Sequence, residues 1–131
     1  MRSVKSGRLG TKVAAAAIAA AMVPVVATGT AQAQGGNIQY TKATAQNKVV
    51  ETQLPDGRLI VSVWSDKMAI EVPNIVQRPR DGNAGAPVLY LVNGAGGGED
   101  SATWQAQSDV RAFMSDKDVW TVTPIGGAFS Y

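Results

Sequence analysis

Asn93-Gly94-Ala95-Gly96-Gly97-Gly98-Glu99-Asp100 is the stretch of this chain best suited to chemistry. Glycine lacks a Cβ, so such a run allows tight turns and brings peptide N–H groups close to a ligand. N–H groups aimed at one point stabilise negative charge as it develops there. Known loops of this kind suggest several readings. A dinucleotide fingerprint needs G-x-G-x-x-G opening a helix; Gly94 and Gly96 fit, but the third glycine position is Glu99, an anion facing the phosphates. A Walker loop needs Gly-Lys-Ser/Thr, which is absent. An oxyanion loop after an early strand of an α/β-hydrolase needs only the glycine turn and its N–H groups. A tight connection without chemistry is the bland alternative, since Gly-rich turns are common. The loop alone leaves the last two open.

Other catalytic residue types are scarce. The 131 residues contain no histidine, which removes Ser-His and Cys-His catalysis and His-based zinc sites. They contain no cysteine, so disulfides, a lipidated Cys and thiolate metal sites are excluded. The serines are Ser62, Ser65, Ser101, Ser108, Ser115 and Ser130, beyond those of the N-terminal segment, and none stands in a G-x-S-x-G elbow. Ser108 reads as a helix cap and Ser101 as a loop residue. Sequential carboxylates such as Glu99-Asp100 are usually solvated, so no metal and no cofactor is expected. Trp64, Trp104 and Trp120 read as core or edge-packing residues.

The loop must be held by the elements around it. Pro87-Val88-Leu89-Tyr90-Leu91-Val92 is a continuously apolar run, as in parallel strands buried on both faces. Ser108 to Met114 begins with cap residues and carries an apolar stripe at Val110, Phe113 and Met114. Asp118 to Thr123 is a second buried-type strand, closed by Pro124 and followed by the small-residue loop Ile125-Gly126-Gly127-Ala128. This β-loop-α-β order implies parallel pairing, with both glycine loops at the carboxyl ends of the strands and facing one crevice. Upstream, Val49–Leu54 and Arg58–Trp64 flank the turn Pro55-Asp56-Gly57. Met68 to Val76 is extended again, and Pro73 marks it as an edge strand or a bulge. The fold class is α/β.

The chain's start is not domain material. Arg2, Lys5, Arg8 and Lys12 precede an apolar run from Val13 to Ala27, and Ala31-Gln32-Ala33 matches a small-residue cleavage site. Residues 1–33 therefore read as a signal peptide cleaved near Ala33, leaving no stable membrane anchor and a secreted or cell-envelope protein. No Arg-Arg pair is present, which favours the general secretory route. Residues 34–47 read as a flexible leader and residues 48–131 as a partial α/β domain. The formal charge of +2 falls to about −2 without the four basic residues of the signal, so no nucleic-acid footprint remains.

Residues Ala86 to Asp100, followed by Trp104, resemble the strand and loop of the mycolyltransferases, secreted esterase-type α/β-hydrolases. Val119 to Pro124 and Ile125 to Tyr131 resemble the next strand and loop of that family. The resemblance covers roughly the second half of the chain, with Met68 to Val76 a weaker match to the preceding strand. It implies the N-terminal part of an α/β-hydrolase sheet and acyl transfer through a Ser acyl-enzyme, from a mycolyl or other acyl ester to a sugar acceptor such as trehalose or arabinan. On the same basis the Ala95 N–H is an oxyanion-hole donor, and Asn93, Gly94, Gly96 and Ser130 line the substrate site. Asn93 and Gly96 replace an Asp and an Arg of mycobacterial members, which removes a charge from the acceptor site. Trp104 would form a wall of the acyl site.

With no elbow and no histidine, the expectation is an N-terminal fragment of an acyltransferase or carboxylesterase, inactive by itself. The strand at Asp118 to Thr123 would then be an uncapped edge. The alternative is a self-sufficient secreted binding module for cell-wall glycan or a host protein.

Overall fold

A computed structural model describes residues 26–33 and 36–128. Strands β1 (Thr28–Ala33) and β2 (Gly36–Thr41) form an antiparallel hairpin. A five-stranded mixed sheet follows, built from β3 (Val49–Gln53), β4 (Leu59–Ser65), β5 (Ile70–Gln77), β6 (Val88–Tyr90) and β7 (Trp120–Pro124) in the order β3-β4-β5-β7-β6. Helices α1 (Trp104–Gln107) and α2 (Val110–Met114) lie between β6 and β7 in the chain. Most residues expected in the signal peptide fall outside the described residues, but Thr28–Ala33 of that segment is β1.

The local signals behave as expected where they are strong. Gly57 takes φ +89° in the turn after β3, a left-handed conformation that glycine adopts without steric cost. The Arg58 N–H donates to Asp56 Oδ1 at 3.1 Å, and Leu54 N–H to the Arg58 carbonyl at 2.9 Å. β3 and β4 then pair antiparallel, as do β4 and β5. β6 and β7 pair parallel across the helical connection, which is the β-loop-α-β unit anticipated above.

Three features differ from the sequence reading. Pro73 lies in β5, which is the central strand and not an edge. Its position explains the tolerance: β5 pairs β7 only from Asn74 to Gln77, and Pro73 C=O accepts from Ile125 N–H just past that ladder. The missing proline N–H thus faces the β7 side at the end of that ladder, where its loss ends the pairing and does not interrupt it. Second, β6 and not β7 is the edge strand, because β7 inserts between β5 and β6. Val88, Leu89 and Tyr90 are consequently 41–65% exposed, against the expected burial on both faces. Third, part of the expected leader is ordered as β2. Ile38 and Tyr40 alternate with Gln39 and Thr41, and the two apolar side chains join the core.

That core lies on one face of the large sheet. Ile60 and Ile75 are register partners, and Ile75 is in turn opposite Thr123. Tyr40, Leu54 and Ile125 close over this row, and Gln105 of α1 reaches Thr123 Oγ1 at 2.9 Å. Met114 of α2 is buried, while Phe113 of the same apolar stripe is exposed. On the opposite face Leu59 and Val76 are buried, while Val61, Val63, Val72 and Val122 are half-buried. The described residues place no helix across it.

Candidate functional site

Asn93 lies three residues past β6 and organises the glycine loop. Its side chain is buried. Nδ2 donates to the Pro124 carbonyl at 3.0 Å, and Oδ1 accepts from Trp104 N–H at 3.3 Å. One amide thus ties the first glycine loop to the end of β7 and to the start of α1. Both polar ends are used inside the protein, so Asn93 acts as a clamp at this position. α1 itself begins with Thr103, whose hydroxyl accepts from Ala106 N–H at 3.1 Å, an ordinary N-cap.

The two glycine loops meet, as their position at the carboxyl ends of β6 and β7 requires. Gly127 N–H donates to Gly97 C=O at 3.4 Å. Gly97 has φ +60°, and a Cβ there would lie 1.7 Å from Gly127 O, so backbone contact leaves no room for a side chain. Within the loop, Gly97 N–H donates to Gly94 C=O at 2.8 Å and Glu99 N–H to Gly96 C=O at 3.1 Å. Those two donors are consumed. The Ala95 N–H has no hydrogen-bond partner among the described residues, and Ala95 is exposed. The Asp100 carboxylate packs over Gly96, where a Cβ would meet it at 2.1 Å, and Asp100 Oδ1 accepts from Ala102 N–H.

Beside the loop is a cleft of about 380 Å³, lined by Val92, Asn93, Gly94, Trp104, Gln107 and Ser108 among others. Its walls are largely apolar. Trp104 forms one of them. Trp104 is 44% exposed, and its Nε1–H is fixed to the Val92 carbonyl at 2.8 Å, so it is a wall residue and not a core residue. Ser108 Oγ donates to Trp104 C=O at 2.6 Å and accepts from Val110 N–H. The structure therefore gathers Asn93, Gly94 and Trp104 at one cleft, leaves Ala95 and Gly96 on the adjoining loop, and does not include Ser130 among the described residues.

A second cavity of about 400 Å³ lies on the other side of the loop, between Gly98, Glu99, Ile125, Gly126 and the β1–β2 hairpin. Here Glu71 accepts from Tyr40 Oη at 3.3 Å and from Ser62 Oγ at 2.6 Å. Ser62 is fully buried and also accepts from Ala43 N–H, which removes it as a nucleophile candidate. Burial pushes the Tyr40 phenol up from its ordinary range, and the Glu71 charge and hydrogen bond add to this. Sequence reasoning missed this group because Tyr40 was assigned to a leader; the alternation around it was the available signal.

No protein-family model matches the chain, and comparison with curated proteins returns no significant match.

Proposed function

We propose that this chain is the oxyanion-loop portion of a secreted acyltransferase or carboxylesterase of the α/β-hydrolase type, akin to the mycolyltransferases. One observation carries the reading. Among the described residues the Ala95 N–H has no partner, and it lies past the carboxyl end of parallel strand β6, next to an apolar cleft walled by Trp104. An acyl chain suits the cleft, and an acyl oxygen that gains charge suits the N–H. Such a donor contributes about 3 kcal/mol to the transition state. The Asp100 carboxylate opposes it, but Asp100 is exposed and its field is screened by solvent.

Chemistry requires a nucleophile and a base in addition. The chain has no G-x-S-x-G elbow and no histidine, so the proposal assigns it binding and oxyanion geometry, with no turnover by itself. The acyl donor would be a mycolyl or other acyl ester, and the acceptor a sugar such as trehalose or arabinan.

The test has two arms. Purified chain should hydrolyse short p-nitrophenyl acyl esters no faster than buffer, and enzyme-dependent turnover would refute the inactivity. In ¹⁵N spectra, octanoate should shift the Ala95 amide and the Trp104 indole signals together. An Ala95 amide that stays still at saturating octanoate would remove the reading. The coding sequence beyond the Tyr131 codon gives an independent check, since the proposal requires a Ser elbow and then a His.

A further inference from the structure

At the amino end of the parallel strands, away from the glycine loops, lies a cavity of about 500 Å³ lined by four arginines: Arg58, Arg78, Arg80 and Arg111. Asp56 and Asp109 are the acidic lining residues. Local pairing sorts these charges. Arg80 forms a two-pronged contact with the neighbouring Asp81 and is satisfied. Asp56 accepts from Arg58 Nε and Nη2 at 3.0 and 2.6 Å and lies 3.6 Å from Arg111. These guanidiniums hold the Asp56 carboxyl below its usual range, chiefly through the Arg58 hydrogen bond. Arg78 donates only to the neutral Gln53 Oε1.

The buried member is the informative one. The Arg58 side chain is 5% exposed, and its Nη1 has no hydrogen-bond partner among the described residues. That Nη1 is sealed from the cavity, so Arg58 supplies positive charge beneath the site while its Nε and Nη2 are taken by Asp56. A single carboxylate shared between Arg58 and Arg111 does not use their combined donors. Arg78 and Arg111 stand at the mouth with partly free guanidiniums. Planar guanidinium forks match the oxygens of a phosphate group better than any other side chain. The volume exceeds what an isolated phosphate needs and falls in the range of small-molecule sites.

We infer that this cavity is a binding site for a small phosphate monoester, held by Arg78 and Arg111 at its mouth with Arg58 beneath. The inference is independent of the acyl-transfer reading, because it uses the other end of the sheet and none of the glycine-loop residues.

Titration calorimetry on the full chain tests it, with glucose 6-phosphate, inorganic phosphate and glucose as probes. Glucose 6-phosphate should bind saturably and glucose should not. The double variant Arg78→Gln/Arg111→Gln, made at exposed or half-exposed positions, should weaken binding at least about tenfold. Asp56→Asn keeps an acceptor for the turn but removes the competing carboxylate, so it should tighten binding. General damage to the fold would not produce that gain. Equal binding of inorganic phosphate and glucose 6-phosphate, lost in the double variant, would support the phosphate chemistry and assign the site to the free anion. Absence of saturable binding, binding unchanged in the double variant, or binding of duplex DNA or anionic vesicles without glucose 6-phosphate would overturn it.

Discussion

Replacing Asn93 by Ala tests whether one buried amide holds the candidate site together. Asn93 is 8% exposed. The change removes the donation to Pro124 C=O at 3.0 Å and the acceptance from Trp104 N–H at 3.3 Å. Each bond contributes about 1 kcal/mol net, and a buried group stripped of its partner costs somewhat more. The expected loss is about 2–3 kcal/mol, a large fraction of the stability of a domain this size. Urea unfolding followed by tryptophan fluorescence and by circular dichroism measures it, and coincident curves with an unchanged m-value make the comparison valid. On heating, the same loss appears as a drop in Tm of about 10–20 °C. Asn93→Asp separates the two bonds. The introduced carboxylate keeps an acceptor for Trp104 N–H but faces the Pro124 carbonyl, so at neutral pH it should be at least as destabilising as Ala. Its deficit should shrink on acidification, because the protonated carboxyl can donate to that carbonyl. An Asn93→Ala protein within about 0.5 kcal/mol of the parent would show that the clamp is not what joins the loops.

Gly97→Ala should destabilise by more than about 2 kcal/mol in urea, because it adds a steric overlap with Gly127 O to the left-handed backbone cost of about 1–2 kcal/mol. Gly57→Ala, with φ +89° but open space around it, should show only the backbone cost. Tyr40→Phe should flatten the alkaline limb of stability. The folded-state phenol is shifted up, so its contribution is complete below the unfolded value near 10 and falls as pH rises above it, by at most about 1.4 kcal/mol per pH unit. Parallel stability–pH curves for parent and variant above pH 10 would contradict this. Asp56→Asn should remove part of the acid limb: the depressed carboxyl contributes above its unfolded value near 4, and that contribution is lost as pH falls toward the folded value. Acid unfolding curves that superimpose would show that the Arg58 contact adds nothing.

Which features were legible in the sequence follows from the range of the interactions that decide them. The β3–β4 hairpin is set within Leu54–Arg58, where Asp56 and Gly57 supply the turn chemistry themselves. Parallel pairing of β6 and β7 was also legible, because a helical connection between two apolar strands permits little else. The run Pro87–Val92 looked buried on both faces because composition cannot say which strand of a parallel pair lies inside. That choice depends on β7 pairing with β5 from Asn74 to Gln77, a contact nearly fifty residues apart in the chain. Pro73 misled for the same reason. Its lack of an N–H matters only on the flank where a ladder bond would form, and the sheet places that flank past the final rung.

The site divides along the same line. A glycine run announces that backbone comes close to something, and here it comes close to two things. Gly97 meets the backbone of Gly127, and Gly96 meets the Asp100 carboxylate. Ala95 stands between these constraints, its N–H without a partner among the described residues. The residue that makes this arrangement possible is the polar Asn93 at the end of an apolar strand. The family resemblance placed it at the substrate site, and its buried amide also has a structural task. A short polar side chain just past the end of a strand has two outlets, solvent or a neighbouring backbone. At this position the second wins, because the ends of β7 and α1 both present unsatisfied backbone groups to it. In the proposed acyl transfer the oxyanion donor is therefore the Ala95 peptide group, and Asn93 holds the loop around it.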